Sequence, residues 1–480
     1  MLFRMLYDEK LAQASYLIGC QRTGEAVVID PQRDVDRYLR SAQKEGLTIT
    51  AITETHIHAD FLSGARELAE RTGARLYLSD EGDKDWKYQW LDKQQGGGNY
   101  THQLVTDGDS FRIGNIELRV DHTPGHTPEH ISFRVIDHGA GATEPMGIAT
   151  GDFVFVGDVG RPDLLETAAG QVGAKERSAK VLYQSIQRFK DLPDYLQLWP
   201  GHGSGSACGK ALGAVPQSTV GYEKRFNPAI HSATSESRFV DDILYGQPEP
   251  PLYFARMKKE NKEGPALLGT LPAPEPIASD EIDALLQKDV YVVDTRSWPD
   301  FIEGHLAGAL FAPLNKSFPT VAGSYVEPDK PIYLIVESSR VEEAVTDLIR
   351  IGLDNIVGYL TPDTLAAYAA SGAGLQKTKH REIKDLLDLS KYRYAQILDV
   401  RYQHEYEAGH LPDALNIAHT RLLPRFDEIS KERTVLVHCL SGERSAYAAA
   451  MLASHGFDVV QLDGGFQAWQ AAEGVVVKED

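Results

Sequence analysis

The sequence predicts a chain of several α/β domains. Three observations carry that prediction. Short apolar runs alternate with helical patterns, the C-terminal part repeats itself, and 480 residues suffice for about three domains. A formal charge of −20 argues against nucleic acid or an anionic membrane as partner. No apolar run reaches the roughly 18 residues that a membrane span needs. The first residues lack a basic region followed by a long apolar run, so no leader is expected. Three cysteines cannot form a disulfide framework. Together these features predict a reducing cytoplasm.

Residues 17–20 and 26–30 read as strands joined by a Gly-containing turn, residues 34–43 as a helix, and residues 47–52 as a buried strand. A second helix is expected over 62–70. Between the last strand and this helix lies Thr55-His56-Ile57-His58-Ala59-Asp60-Phe61. Two histidines and an aspartate thus sit on a strand-to-helix turn, where a rigid scaffold positions chemistry. Such close spacing suits metal ligands better than core packing. Residues 81–98 carry two tryptophans and a run of three glycines. They read as a surface excursion near the site, or as an ordinary loop.

Three later stretches add candidates. Residues 121–130 contain His122, His126 and His130, with Pro124-Gly125-His126-Thr127-Pro128 at their centre. An apolar strand ends in Gly151-Asp152, and another in Gly201-His202. Cys208 follows in a Gly/Ser-rich loop and is a candidate sulfur acceptor or a small inert residue; Cys20 reads as structural.

These four motifs, in this order, resemble those of the metallo-β-lactamase superfamily. The resemblance implies an αββα sandwich with a metal at its rim. The family's usual first motif continues with a histidine that holds a second metal. Here Phe61 stands in its place, which argues for one metal ion. The stretches Gly157-Asp158-Val159-Gly160-Arg161-Pro162-Asp163 and Ala179-Lys180-Val181-Leu182 are similar to the sulfur dioxygenase branch, as is the loop from His202 through Cys208. That branch implies His56, His126 and Asp152 as ligands. Two imidazoles and one carboxylate make the donor set of non-haem Fe(II) oxygenases. His58 would then lie outside the ligand set, although zinc hydrolases of this fold use it. Asp60 and His202 would hydrogen-bond substrate or bound water. Arg161 would fix an anionic substrate, orient Asp152, or form a structural salt bridge.

Near residue 239 the composition changes. Residues 247–251 and 271–276 are proline-rich and read as a linker with a helix or ordered strap between them. Beyond it, Gly304-His305-Leu306 recurs as Gly409-His410-Leu411, and Arg340 and Gly352 recur as Arg444 and Gly456, one residue closer. In the second copy an apolar strand runs into Cys439-Leu440-Ser441-Gly442-Glu443-Arg444 and then a helix. Converging backbone N–H groups at a helix N-terminus favour a thiolate and a bound persulfide. Arg444 would close the loop through its carbonyls or help to hold an anionic donor. The first copy has Glu337-Ser338-Ser339-Arg340 instead and cannot carry sulfur on a cysteine. This repeat resembles two rhodanese domains. Cys-x4-Arg is one residue shorter than the phosphatase loop, which argues against phosphatase chemistry.

The expected layout is a metal domain over 1–240, a linker over 241–276, an inactive rhodanese-like domain over 277–376 and an active one over 377–480. The resemblance implies a persulfide dioxygenase fused to rhodaneses, using one Fe(II) per chain. Its partners would be a low-molecular-weight thiol persulfide, O2 and sulfite or thiosulfate, and relatives imply a homo-oligomer. The alternatives are a zinc thioesterase of glyoxalase II type with a sulfurtransferase tail, and a sulfur carrier or persulfide sensor.

Overall fold

The computed structural model describes residues 1–92, 98–167, 173–210, 212–387 and 393–478. The chain divides into two compact units. One is Met1–Thr270 with Ile349–Gly352, the other Leu271–Leu348 with Leu353–Asp480.

The first unit holds two six-stranded sheets. One follows chain order: Leu2–Asp8, Gln13–Cys20, Glu25–Ile29, Thr48–Thr53, Arg75–Ser79 and His102–Val105. It begins as antiparallel hairpins and becomes parallel from Glu25–Ile29 onward. The other runs Ser218–Thr219, Gln197–Pro200, Gly147–Gly151, Ile131–Asp137, Ile116–His122, Ser110–Ile113.

Strand alternation explains the layers. Tyr16 and Ile18 face Phe133, Val135 and Trp199 of the opposite sheet. Leu17, between them, faces Tyr38 and Leu68 on the outer helices. The second sheet does the same: Ile148 and Leu198 pack outward against Leu182, Ile186 and Phe239. Both faces of each sheet are covered, so these strands read as unbroken apolar runs. Each fully buried Leu or Val contributes about 1.5–3 kcal/mol. The architecture is therefore αββα, and the ends of its strands open on one edge where the motifs sit.

The part of 81–98 that carries the tryptophans differs from the expected surface excursion. Trp86 and Trp90 are buried and join the outer core with Tyr88 and Leu91. A helix far along the chain covers them, which no local signal reveals. Gly96 and Gly97 of the glycine run lie outside the described residues. Between the two proline-rich pieces of 241–276 lies the helix Tyr253–Glu263, which belongs to the first unit.

The second unit holds two wholly parallel five-stranded sheets with the same strand order. In the first, Ile332–Ile335 and Tyr291–Asp294 are central. In the second, Val435–His438 and Gln396–Asp399 take those places. Among the described residues no helix is long and apolar enough to cross a membrane.

Candidate metal centre and cysteine loop

The turn after Thr48–Thr53 is held by side chains from neighbouring segments. Asp30 ends the strand Glu25–Ile29 in a left-handed conformation, φ 52°, which aspartate tolerates. Its carboxylate accepts the Thr55 N–H at 2.7 Å and the Thr55 hydroxyl at 2.9 Å. Glu129 accepts the Ile57 N–H at 2.8 Å.

These bonds set tautomers. Thr55 Oγ1 has given its hydrogen to Asp30, so at 2.9 Å it accepts from His56 Nδ1. His126 Nδ1 donates to the Arg161 carbonyl at 3.0 Å, and His202 Nδ1 to the Ala12 carbonyl at 3.2 Å. A carbonyl only accepts, so each Nδ1 carries a proton, and in the neutral rings of His56 and His126 Nε2 presents a bare lone pair. Burial holds His56 far below the usual imidazole range and His126 below it, so both stay neutral.

His56, His126 and Asp152 meet in one buried cluster. Asp152 Oδ2 lies 3.9 Å from His56 Nε2 and 3.6 Å from His126 Nε2. His56 Nε2 and both Asp152 oxygens are buried without a hydrogen bond. Three unpartnered acceptors facing one another would destabilise the fold unless a cation joined them. The residues present therefore fit a metal ion. The Asp152 backbone is fixed as well: its N–H donates to His130 Nε2 at 3.1 Å, and His130 Nδ1 donates to Thr123. Glycines keep room around this carboxylate. A Cβ on Gly201 would come within 2.7 Å of Asp152 Oδ1, and one on Gly160 within 1.8 Å of the Asp152 carbonyl oxygen.

A second buried triad adjoins the first: Asp60, His202 and Cys208. His202 Nε2 is 3.2 Å from Asp60 Oδ2 and 3.5 Å from Asp152 Oδ1. Burial, then the Asp60 and Asp152 charges, push the Cys208 thiol well up. His58 turns the other way. Its Nε2 lies 3.2 Å from Asp30; burial lowers the imidazole, but the Asp30 charge and hydrogen bond with the Glu54 and Asp60 charges together raise it to about 9. The Phe61 ring packs 4.4 Å from the His58 ring.

The Arg161 guanidinium is used up within the scaffold. It pairs with Asp163 at 3.0 and 2.7 Å and donates to the carbonyls of Ala207 and Pro248. Its carbonyl reaches the site, through His126. His122 donates to the Pro128 carbonyl. Cys20 accepts the Asn115 N–H in a hairpin.

In the second unit, Cys439 ends the strand Val435–His438, and the helix Glu443–Ser454 begins four residues later. The Gly442 N–H donates to Cys439 Sγ at 3.1 Å. The N–H groups of Phe466 and Gln467 hold the Cys439 and Leu440 carbonyls at 2.8 and 3.0 Å. Arg444 is engaged by Glu405, at 2.6 and 2.8 Å, and not by the loop carbonyls. Its guanidinium stands 5.3 Å over the Tyr402 ring. Beside it, burial and the Arg444 charge press His419 down to about 3. In the first copy, Arg340 pairs with Glu343 of its own helix and with the Leu314 carbonyl.

Comparison with known proteins agrees with this geometry. Residues 9–202 match the description Metallo-beta-lactamase superfamily, and residues 278–362 and 380–472 match Rhodanese-like domain. The crystal structure of a metallo-beta-lactamase from Staphylococcus aureus subsp. aureus COL is 44% identical, covering 75% of this chain and 99% of that one, with a TM-score of 0.67. The chain belongs to the metallo-β-lactamase superfamily. It carries two rhodanese-like domains after the metallo-β-lactamase fold. ETHE1 from Myxococcus xanthus is 30% identical over 55% of this chain and 99% of its own, with a TM-score of 0.43. A beta-lactamase hydrolase-like protein of Xylella fastidiosa (strain 9a5c) is 30% identical over 56% of this chain. The chain spans 61% of that relative's length.

Sequence reasoning missed Asp30 and Glu129. Asp30 had a signal, an acidic residue ending an apolar strand just as Asp152 does. Glu129 lies inside a histidine-rich motif that drew attention to its neighbours.

Proposed function

We propose that the metallo-β-lactamase half is an Fe(II)-dependent persulfide dioxygenase and that Cys439 in the second rhodanese-like domain transfers sulfane sulfur. The buried His56, His126 and Asp152 set, with its unpartnered atoms, carries this reading. Two neutral imidazoles and a carboxylate suit iron(II). Iron held there supplies one-electron chemistry with O2. His56 and His126 are kept as neutral donors by the Thr55 hydroxyl and the Arg161 carbonyl. Asp60, His202 and Cys208 form the wall against which a persulfide would lie, and the protonated Cys208 thiol can donate to it. The balanced reaction is R–S–S⁻ + O2 + H2O giving R–SH, sulfite and a proton.

At the second site the Cys439 thiolate attacks the outer sulfur of a persulfide, R–S–SH, releasing R–SH and leaving Cys439–S–S⁻. Sulfite then takes that sulfur, forming thiosulfate and restoring the thiolate. The Gly442 N–H, already on Sγ, stabilises the charge. The Cys-less copy over 277–376 serves as a spacer or dock. The protein would act on small thiol persulfides in a reducing cytoplasm, as a homo-oligomer.

A zinc hydrolase is the second reading. The adjoining donor triad of Asp60, His202 and Cys208 favours it, since two neighbouring triads, with Asp152 Oδ1 3.5 Å from His202 Nε2, resemble a two-metal cradle. Metal-loaded protein given a glutathione thioester and glutathione persulfide separates the readings. The dioxygenase reading expects one iron per chain and persulfide consumption only with O2. Two zinc ions per chain with thioester hydrolysis would replace it.

A further inference from the structure

Asn261 lies on the helix Tyr253–Glu263, outside residues 9–202 that match the metallo-β-lactamase description. It is 2% exposed, and its side chain is spent entirely on the turn that carries the metal-site residues. Its Oδ1 accepts the Ser63 N–H at 2.8 Å. Its Nδ2 donates to the His58 carbonyl at 2.8 Å and to the Phe61 carbonyl at 2.7 Å. One acceptor and two donors meet one N–H and two carbonyls, a match that a carboxamide makes and a carboxylate does not.

The helix is itself held in register. The Asn261 carbonyl accepts the Trp90 indole N–H at 3.2 Å, and the Lys262 carbonyl accepts the Gln89 N–H at 2.8 Å. One turn earlier, the Lys258 ammonium sits 3.6 Å from the centre of the Trp86 ring. The buried tryptophan segment is thus the base on which this helix is registered. The two carbonyls that Asn261 grips flank Asp60, whose carboxylate oxygens are buried without a hydrogen bond and face His202.

We propose that Asn261 is a positioning residue of the metal centre. It clamps the His58–Ser63 turn so that Asp60 stays aimed at His202 and Cys208 and His56 keeps its place opposite Asp152. This rests on the reading that His56, His126 and Asp152 hold a metal. It also means that the metal centre is complete only with a helix from the stretch between the metal-site motifs and the rhodanese-like repeats.

The test uses the full chain titrated with cobalt(II), whose visible bands report coordination without turnover. Asn261→Ala is expected to shift those bands, to weaken cobalt affinity by about 10- to 100-fold, and to lower kcat more than it raises KM in the iron-loaded protein. Lys259→Met, at an exposed position of the same helix, leaves the carboxamide bonds intact and is expected to keep the wild-type bands. Wild-type bands and affinity in Asn261→Ala would overturn the proposal. Should that variant fail to fold, amide exchange in the wild-type chain decides. A slowly exchanging Ser63 N–H is expected, and one that exchanges at the free-peptide rate overturns the clamp. A wild-type chain that binds no cobalt would instead sink the metal reading, leaving the clamp to be judged by Ser63 alone.

Discussion

Around Asp152 the unpartnered atoms are acceptors: His56 Nε2 and both carboxylate oxygens. Around Cys439 the group turned on the sulfur is a donor, the Gly442 N–H at a helix start. The first pocket is short of positive charge and the second is ready for negative charge. The same backbone device, a strand end running into a turn, builds both. The difference comes from what the neighbouring side chains do. Thr55 and Arg161 take the Nδ1 protons of His56 and His126 and leave lone pairs facing inward. Glycines and backbone N–H groups line the other site. On the proposed function, the chain would handle sulfur twice, once through a bound cation and once through a stabilised anion.

The largest effects should cleanly separate the two. Asp152→Ala is expected to abolish metal binding and persulfide oxidation while leaving sulfur transfer within about twofold, because the two sites belong to separate compact units with no residue in common. Cys439→Ser should do the reverse. Metal content, and thiosulfate formation from persulfide with sulfite supplied, measured on both variants, check this; loss of both activities in either one would break the comparison.

A smaller effect is expected from the relay behind His56. Thr55→Val removes the acceptor of the Nδ1 proton and leaves Asp30 short of one bond. Metal affinity should fall by about 10- to 100-fold, read by competition with a chelator. An unchanged affinity would mean that the relay does not set the tautomer.

The smallest effect sharpens the contrast through pH. His419 is buried beside Arg444 and depressed from 6.5 to about 3. Above pH 6.5 neither the folded nor the unfolded chain protonates it. Below that, only the unfolded chain takes up the proton, so stability falls as pH drops, by about 1.4 kcal/mol per pH unit at most. His438, also buried and lowered, acts in the same sense. The unfolding temperature of the second unit should drop between about pH 7 and pH 5, and His419→Leu should lessen that drop. Equal pH slopes in both proteins would show that His419 is not responsible.

The fold class was legible because its signals are local. Apolar strands, glycine turns and a repeated strand-loop-helix all lie within short windows. His56, His126, Asp152 and Cys439 were singled out by signals of the same local kind, short motifs in the turns and loops that follow strands. What could not be read depends on contacts across the chain. Trp86 and Trp90 looked like surface residues because the helix that buries them begins at Tyr253. Asn261 sits in an ordinary helical pattern and has no motif to mark it. Arg444 could be placed by its spacing from Cys439, but Glu405, its partner, lies on a separate helix. Arg161 stood in a recognisable loop, yet its backbone carbonyl, rather than its charge, touches a metal-site histidine.

The most direct test is oxygen uptake by anaerobically prepared, iron-loaded Cys439→Ser protein given glutathione persulfide. The expected result is one O2 consumed for each sulfite formed, at the wild-type rate. No uptake by protein that demonstrably holds iron would contradict the dioxygenase reading.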